Sequence, residues 1–147
     1  NKVRQAVPMF DLIHSVDSKK LLDEIEKVAA KHDKVQDILL QVNVAREASK
    51  SGMSVEEFPD IRDYAKTLPH VRVKGLMCMA PFFENPEDAR PIFRVAHALY
   101  EDMKGYFPDG DIQYLSMGMT HDFEIALQEG ANIVRVGTAI FGERVYN

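Results

Sequence analysis

Cysteine is nearly absent. Cys78 stands alone in 147 residues, so no internal disulfide is available and nothing points to an oxidising compartment. Any apolar run long enough to span a membrane is missing, and so is a signal-peptide pattern at the start. A cytoplasmic location and no membrane partner are the expectation. An excess of positive charge is lacking too: the formal net charge is −5, which argues against a nucleic-acid partner. The histidines, His14, His32, His70, His97 and His121, share no zinc-like spacing with one another or with Cys78, so no metal site is expected. There are no repeats of solenoid period and no low-complexity segments.

What remains is an ordinary globular composition, with 46% hydrophobic and 28% charged residues, enough for one domain over residues 1–147. The lysines at 19, 20, 27, 31 and 34 read as the solvated face of a helix. Cys78, in the apolar run "GLMCMA", reads as a buried, inert thiol.

Along the chain the hydrophobic period alternates between two and 3.6. "MFDLIHSV", "DILLQVNV", "VRVKGLMCMA", "DIQYLSMG" and "NIVRVG" read as five strands. Between them lie helical patterns: one after "VDS", one near Val55–Leu68, one after the cap Asn85, and one in "THDFEIALQEG" closed by Gly130. Pro91 marks either a kink or a later start of the third. The tail "TAIFGERVYN" reads as a short helical turn and an extended end. Strands alternating with helices specify parallel β/α architecture, either an open doubly wound sheet or part of a (β/α)8 barrel. A barrel needs eight strands and this chain supplies about five. Since "NKVRQAVP" opens without methionine, as a loop entering a helix, the chain is expected to be the C-terminal portion of a longer protein.

Ligands of parallel β/α proteins bind at the carboxyl ends of the strands. That rule selects His14–Asp17, Asn43–Gly52, Met77–Pro81, Ser116–Asp122 and Arg135–Thr138. In "SMGMTHD", Thr120 either caps the following helix, with Asp122 favouring the dipole, or offers its hydroxyl to a phosphate at a glycine turn. In "VRVGT", Arg135 lies in an apolar strand just before Gly137 and Thr138. It pairs either with a core carboxylate such as Glu124 or with a ligand. Asn43, Glu47 and Lys50 are weaker candidates, since a polar connection is also just a loop. Met77 and Met79 share a face and fit core packing better than a pocket. His14 reads as a satisfied histidine.

"NVAREASKSGM", "GLMCMAP" and "LSMGMTHDFEIALQEGANIVRVGTAIFGER" resemble the pyridoxal-phosphate homeostasis proteins, which share their barrel with the N-terminal domain of alanine racemase. The resemblance covers nearly the whole chain and is most specific in its last third; even "NK" resembles the end of that family's "LQxNK". It implies a (β/α)8 TIM-type barrel, of which this chain supplies about the last five β/α units. The cofactor implied is pyridoxal 5′-phosphate (PLP), held at the C-terminal face by a protein of PLP homeostasis without established catalysis. Ser116, Met119, Thr120, Gly137 and Thr138 would form the phosphate cradle, and Arg135 would approach the pyridine nitrogen. A guanidinium only donates, so that nitrogen would be unprotonated, a poorer electron sink. The family's Schiff-base lysine lies upstream of this chain; Lys2 and Lys50 occupy other positions. The chain alone is therefore expected to bind the cofactor weakly and to associate through open sheet edges. At full length a monomer or homodimer is expected.

Two other readings remain. A PLP-dependent racemase on the same barrel usually needs a tyrosine base from an additional β domain, for which "GERVYN" leaves no room. A barrel enzyme for some other phosphorylated metabolite would need the same cradle.

Overall fold

A computed structural model describes residues 2–46 and 51–136. Helix α1 (Lys2–Met9) leads into strand β1 (Leu12–Val16), helix α2 (Lys19–Lys31) and strand β2 (Gln36–Val42). Helix α3 (Phe58–Ala65) and strand β3 (Val71–Cys78) follow, then a 3-10 turn (Pro86–Ala89) running into helix α4 (Arg90–Met103). Strand β4 (Tyr114–Met119), helix α5 (Phe123–Gln128) and strand β5 (Ile133–Arg135) complete the described elements. The tail expected at 138–147 lies outside the described residues, as do Glu47 and Lys50.

All neighbouring strands are parallel, and their spatial order is the chain order, β1-β2-β3-β4-β5. A doubly wound sheet reverses its order at a switch point, whereas sequential order is what an arc of barrel requires. The sheet is also curled. His14 on β1 and Ser116 on β4 meet with Nδ1 and Oγ 3.4 Å apart. In a flat sheet three strand spacings would separate them by about 14 Å. The five strands form a curled half-barrel.

Alternation along each strand divides two environments. Ile38, Leu40 and Val42 of β2, Leu76 and Cys78 of β3, and Leu115 and Met117 of β4 face the helices. They pack with Leu22 and Ile25 of α2, Phe58 and Ile61 of α3, and Phe93, Ala96 and Met103 of α4. Leu39, Met77 and Ser116 are equally buried but stand outside that cluster, on the inner face of the curl.

Local chemistry sets the helix ends. Ser18 caps α2 by accepting from the Leu21 N–H at 3.1 Å. Ser54 and Glu57 exchange reciprocal bonds of 3.0 Å in the turn ahead of α3, which begins later than the hydrophobic pattern suggests. Asn85 caps the 3-10 turn, and Pro91 then occupies the first turn of α4, so it marks a later helix start. Glu129 accepts from Arg90 at 2.6 Å and from Arg94 at 3.2 Å, fastening the end of α5 to α4, and its carboxyl is held below its usual range, mainly by Arg90.

Cys78 is fully buried, and its burial pushes the thiol up to about 12. The thiolate is the reactive form, so Cys78 is expected to resist a thiol reagent at pH 8 in the folded protein and to label promptly in denaturant. Rapid labelling under native conditions would show that β3 opens readily.

Candidate functional site

The strand ends on one side frame a cavity of about 450 Å³. Polar groups of the β1 and β2 ends, Ser15, Asp17, Gln41 and Asn43, line one part of it; Met77 of β3 and Met79 just past its end line another, and Arg135 of β5 a third. The two methionines therefore face the pocket, contrary to the core-packing expectation. The reason is the pleat: Cys78 between them takes the outer position and leaves its neighbours inside. The chain after β2 turns back on itself. Met53 donates to Gln41 and Asn43 donates to Met53, at 2.9 and 2.7 Å, and the Gly52 N–H donates to Asp17 Oδ2 at 2.8 Å. These bonds join the ends of β1 and β2 to a single wall.

Arg135 is the unusual group. Among the described residues its Nε and Nη2 are buried without a hydrogen-bond partner, and burial pushes the guanidinium below its ordinary value. Pairing with Glu124 does not occur, because Glu124 sits exposed on α5. Two buried N–H donors without acceptors are costly in a folded protein. They fit a ligand that brings a hydrogen-bond acceptor.

His14 is half-buried next to this charge. Burial first, and the Arg135 charge second, hold its imidazole below the ordinary value. Its ring contacts Ser116, which is completely buried. The strand-end rule includes both residues, yet nothing in the sequence announces that they touch across three strands.

At the end of β4 the chain turns through Gly118, whose φ is +101°. A Cβ there would lie 2.6 Å from the Ala126 Cβ and 3.2 Å from the Phe123 Cα, so glycine lets α5 settle directly onto the strand end. Asp122, not Thr120, occupies the N-cap position of α5, and its Oδ1 turns back to accept from the Met119 N–H at 2.8 Å. The capping role expected of Thr120 is thus corrected. A carboxylate closes the turn, pairing one backbone N–H and leaving Thr120 exposed two residues ahead of the cap.

The predicted residues therefore separate by depth. Ser116 is fully buried, Met119 and Thr120 are exposed, and Arg135, which pairs in register with Met119, is the member of this set that lines the cavity among the described residues. Gly137 and Thr138 lie outside the described residues. Asp17, Ser15 and Gln41 were not singled out by motif; Gln41 carries no sequence signal beyond its place near a strand end.

The profile of the alanine racemase N-terminal domain family matches residues 1–145. The chain belongs to this family. A relative within reach of the same family is a protein named pyridoxal phosphate homeostasis protein from Aquifex aeolicus (strain VF5), 47% identical over 146 residues. That match covers 99% of this chain and 64% of the relative, so the chain spans less than two thirds of the curated protein's length. Among solved structures, PipY of Synechococcus elongatus PCC7942 without PLP is similar with a TM-score of 0.88 and 32% identity, covering 97% of this chain and 66% of that one. The structure of PipY with PLP bound is similar with a TM-score of 0.79 over the same shares. Family membership accounts for the sequential strand order and the cavity at the strand ends.

Proposed function

We propose that this chain supplies the ring-nitrogen and phosphate sides of a PLP-binding barrel, and that the full-length protein holds and buffers PLP in the cytoplasm without catalysis of its own. Residues 1–147 form one domain in this reading, the C-terminal part of the barrel. The observation that carries it is the unpartnered pair of buried nitrogens on Arg135 at the cavity wall. The names of the relatives support the choice of ligand, since homeostasis protein and PLP-bound PipY both point to the same cofactor. When bound, PLP supplies an electrophilic aldehyde and an electron-withdrawing ring; a ring nitrogen left unprotonated by Arg135 keeps that withdrawal weak.

Arg135 would meet the ring nitrogen. Ser116, Met119, Thr120, Gly137 and Thr138 would together hold the phosphate. No nucleic acid or membrane takes part, and among the described residues no helix is long and apolar enough to cross a membrane. The full-length protein is a monomer or homodimer.

The test is an absorbance titration of full-length protein with PLP. A saturable cofactor band is expected, weakened about tenfold or more by Thr138→Ala through loss of a hydroxyl on a charged phosphate. A protein that stays colourless and takes up no PLP sinks the reading. Rapid racemisation of an amino acid by the loaded protein would replace the buffering role with catalysis.

A further inference from the structure

His14 reaches from β1 to Ser116 on β4, inside the curl. The nature of that partner matters. A carboxylate would hold the imidazole charged, and a backbone N–H would hold it neutral. A hydroxyl does neither, because it donates to a bare ring nitrogen and accepts from a protonated one. The contact therefore survives a change of protonation state.

Among the described residues, the charge that acts on that state is Arg135. From β2 and β3 the neighbours lining the cavity, Gln41 and Met77, are uncharged. From β4 the partner is Ser116, and from β5 it is Arg135, whose charge acts on His14. Asp17, further along β1, already accepts from the Gly52 N–H. Burial first and the Arg135 charge second both disfavour the protonated imidazole. A phosphate dianion at the rim changes the field. Met119 is exposed and lies three residues past Ser116, about 10 Å along a strand and about one Debye length, so a dianion there is only partly screened from the half-buried His14.

We propose that His14 couples ligand binding to protonation: a phosphate-bearing ligand in this cavity draws a proton onto the His14 imidazole, and the protein holds such a ligand more tightly as pH falls. The inference rests on the PLP reading of the site. Its sign follows from linkage. The loaded form takes up the proton at a higher pH than the free form, so the gain in affinity is absent in alkali, grows as pH falls through the loaded-state midpoint, and is complete below the free-state midpoint.

The experiment compares PLP affinity of the full-length wild type and His14→Gln at pH 8 and about pH 5.5. Titration of the ligand, and of its bond to any lysine, is common to both proteins and cancels in the ratio. Wild type is expected to gain about tenfold over the variant on acidification, one pH unit of linked protonation. With pyridoxal, which lacks the phosphate, the gain should vanish. An unchanged ratio with wild type still binding at pH 8 overturns the role of His14 and leaves the PLP reading intact. Absence of wild-type binding at pH 8 overturns both. A second readout needs no variant: the His14 Cε1–H resonance, titrated with and without saturating PLP, should move its midpoint upward when loaded, and an unmoved or lowered midpoint overturns the proposal.

Discussion

Replacing Arg135 with methionine is expected to weaken PLP binding by about 10- to 100-fold while leaving the melting temperature of the full-length protein equal or higher. The two effects have one cause. Hydrogen bonds to a charged group contribute roughly 1.5–3 kcal/mol each way of counting, which converts to that range of affinity. Among the described residues the same nitrogens are buried without acceptors, so the cation burdens the fold instead of supporting it. Methionine keeps the apolar stem, removes the charge and fills the space flexibly. Arg135→Lys should fall between, since an ammonium places a point charge where two planar donors stood. Thermal melts and absorbance titrations on the same preparations decide the matter. A variant that melts well below wild type without PLP would show that Arg135 has a structural partner; unaltered affinity would place the ring nitrogen elsewhere.

The position of Arg135 was readable because a cation in an apolar strand violates an otherwise consistent pattern. Its lack of a partner among the described residues was not, because pairing is decided by side chains arriving from other elements, and sequence alone does not show that Glu124 stays exposed on α5. The same limit applies to His14 and Ser116, whose contact exists only because the sheet curls. Five strands emerged from hydrophobic period and the alternation with helices, signals carried by each segment alone, whereas their order stayed open between a doubly wound sheet and a barrel until the family resemblance and the structure decided it. Boundaries drifted where a second preference competed. Met9 belongs to α1 although it opens an apolar run, and α5 starts at Phe123 because the Asp122 carboxylate claims the turn before Thr120 can head the helix. For Met77 and Met79 the sequence located the shared face but not which side of the sheet that face would occupy. The side depends on where the outer helices pack.

Gly75 shows the largest effect that no sequence pattern announced, and Gly75→Ala is expected to destabilise the full-length protein by about 3 kcal/mol or more. An added Cβ would sit 1.8 Å from the Tyr114 carbonyl oxygen, 2.8 Å from its carbon and 3.0 Å from the Tyr114 nitrogen. These are backbone atoms of the adjoining strand, so no rotamer change relieves them. Gly75 and Tyr114 form the first register pair of β3 and β4, and β3 carries one extra residue against β2 at the same level, between Val73 and Gly75. The bulge turns Gly75 inward, where β4 crosses it closely. To admit a methyl group, β3 and β4 must part, adding overpacking of about 1–3 kcal/mol to ladder bonds worth about 0.5–1.5 kcal/mol each. Against a total stability of about 5–15 kcal/mol, that loss should lower the melting temperature by roughly 10 °C. Two other glycines separate steric from conformational cost. Gly110 has φ +86° and nothing within 4 Å of an added Cβ, so Gly110→Ala should cost only the left-handed backbone strain of about 1–2 kcal/mol. Gly105 meets an ordinary 3.6 Å contact, and Gly105→Ala should be nearly neutral or slightly stabilising. Urea denaturation of the three variants gives the ranking directly. If Gly75→Ala were no worse than Gly110→Ala, β3 and β4 would be able to separate at little cost, and the spacing that sets the Met77 and Met79 wall against the Ser116–Thr120 turn would not be fixed by this pair.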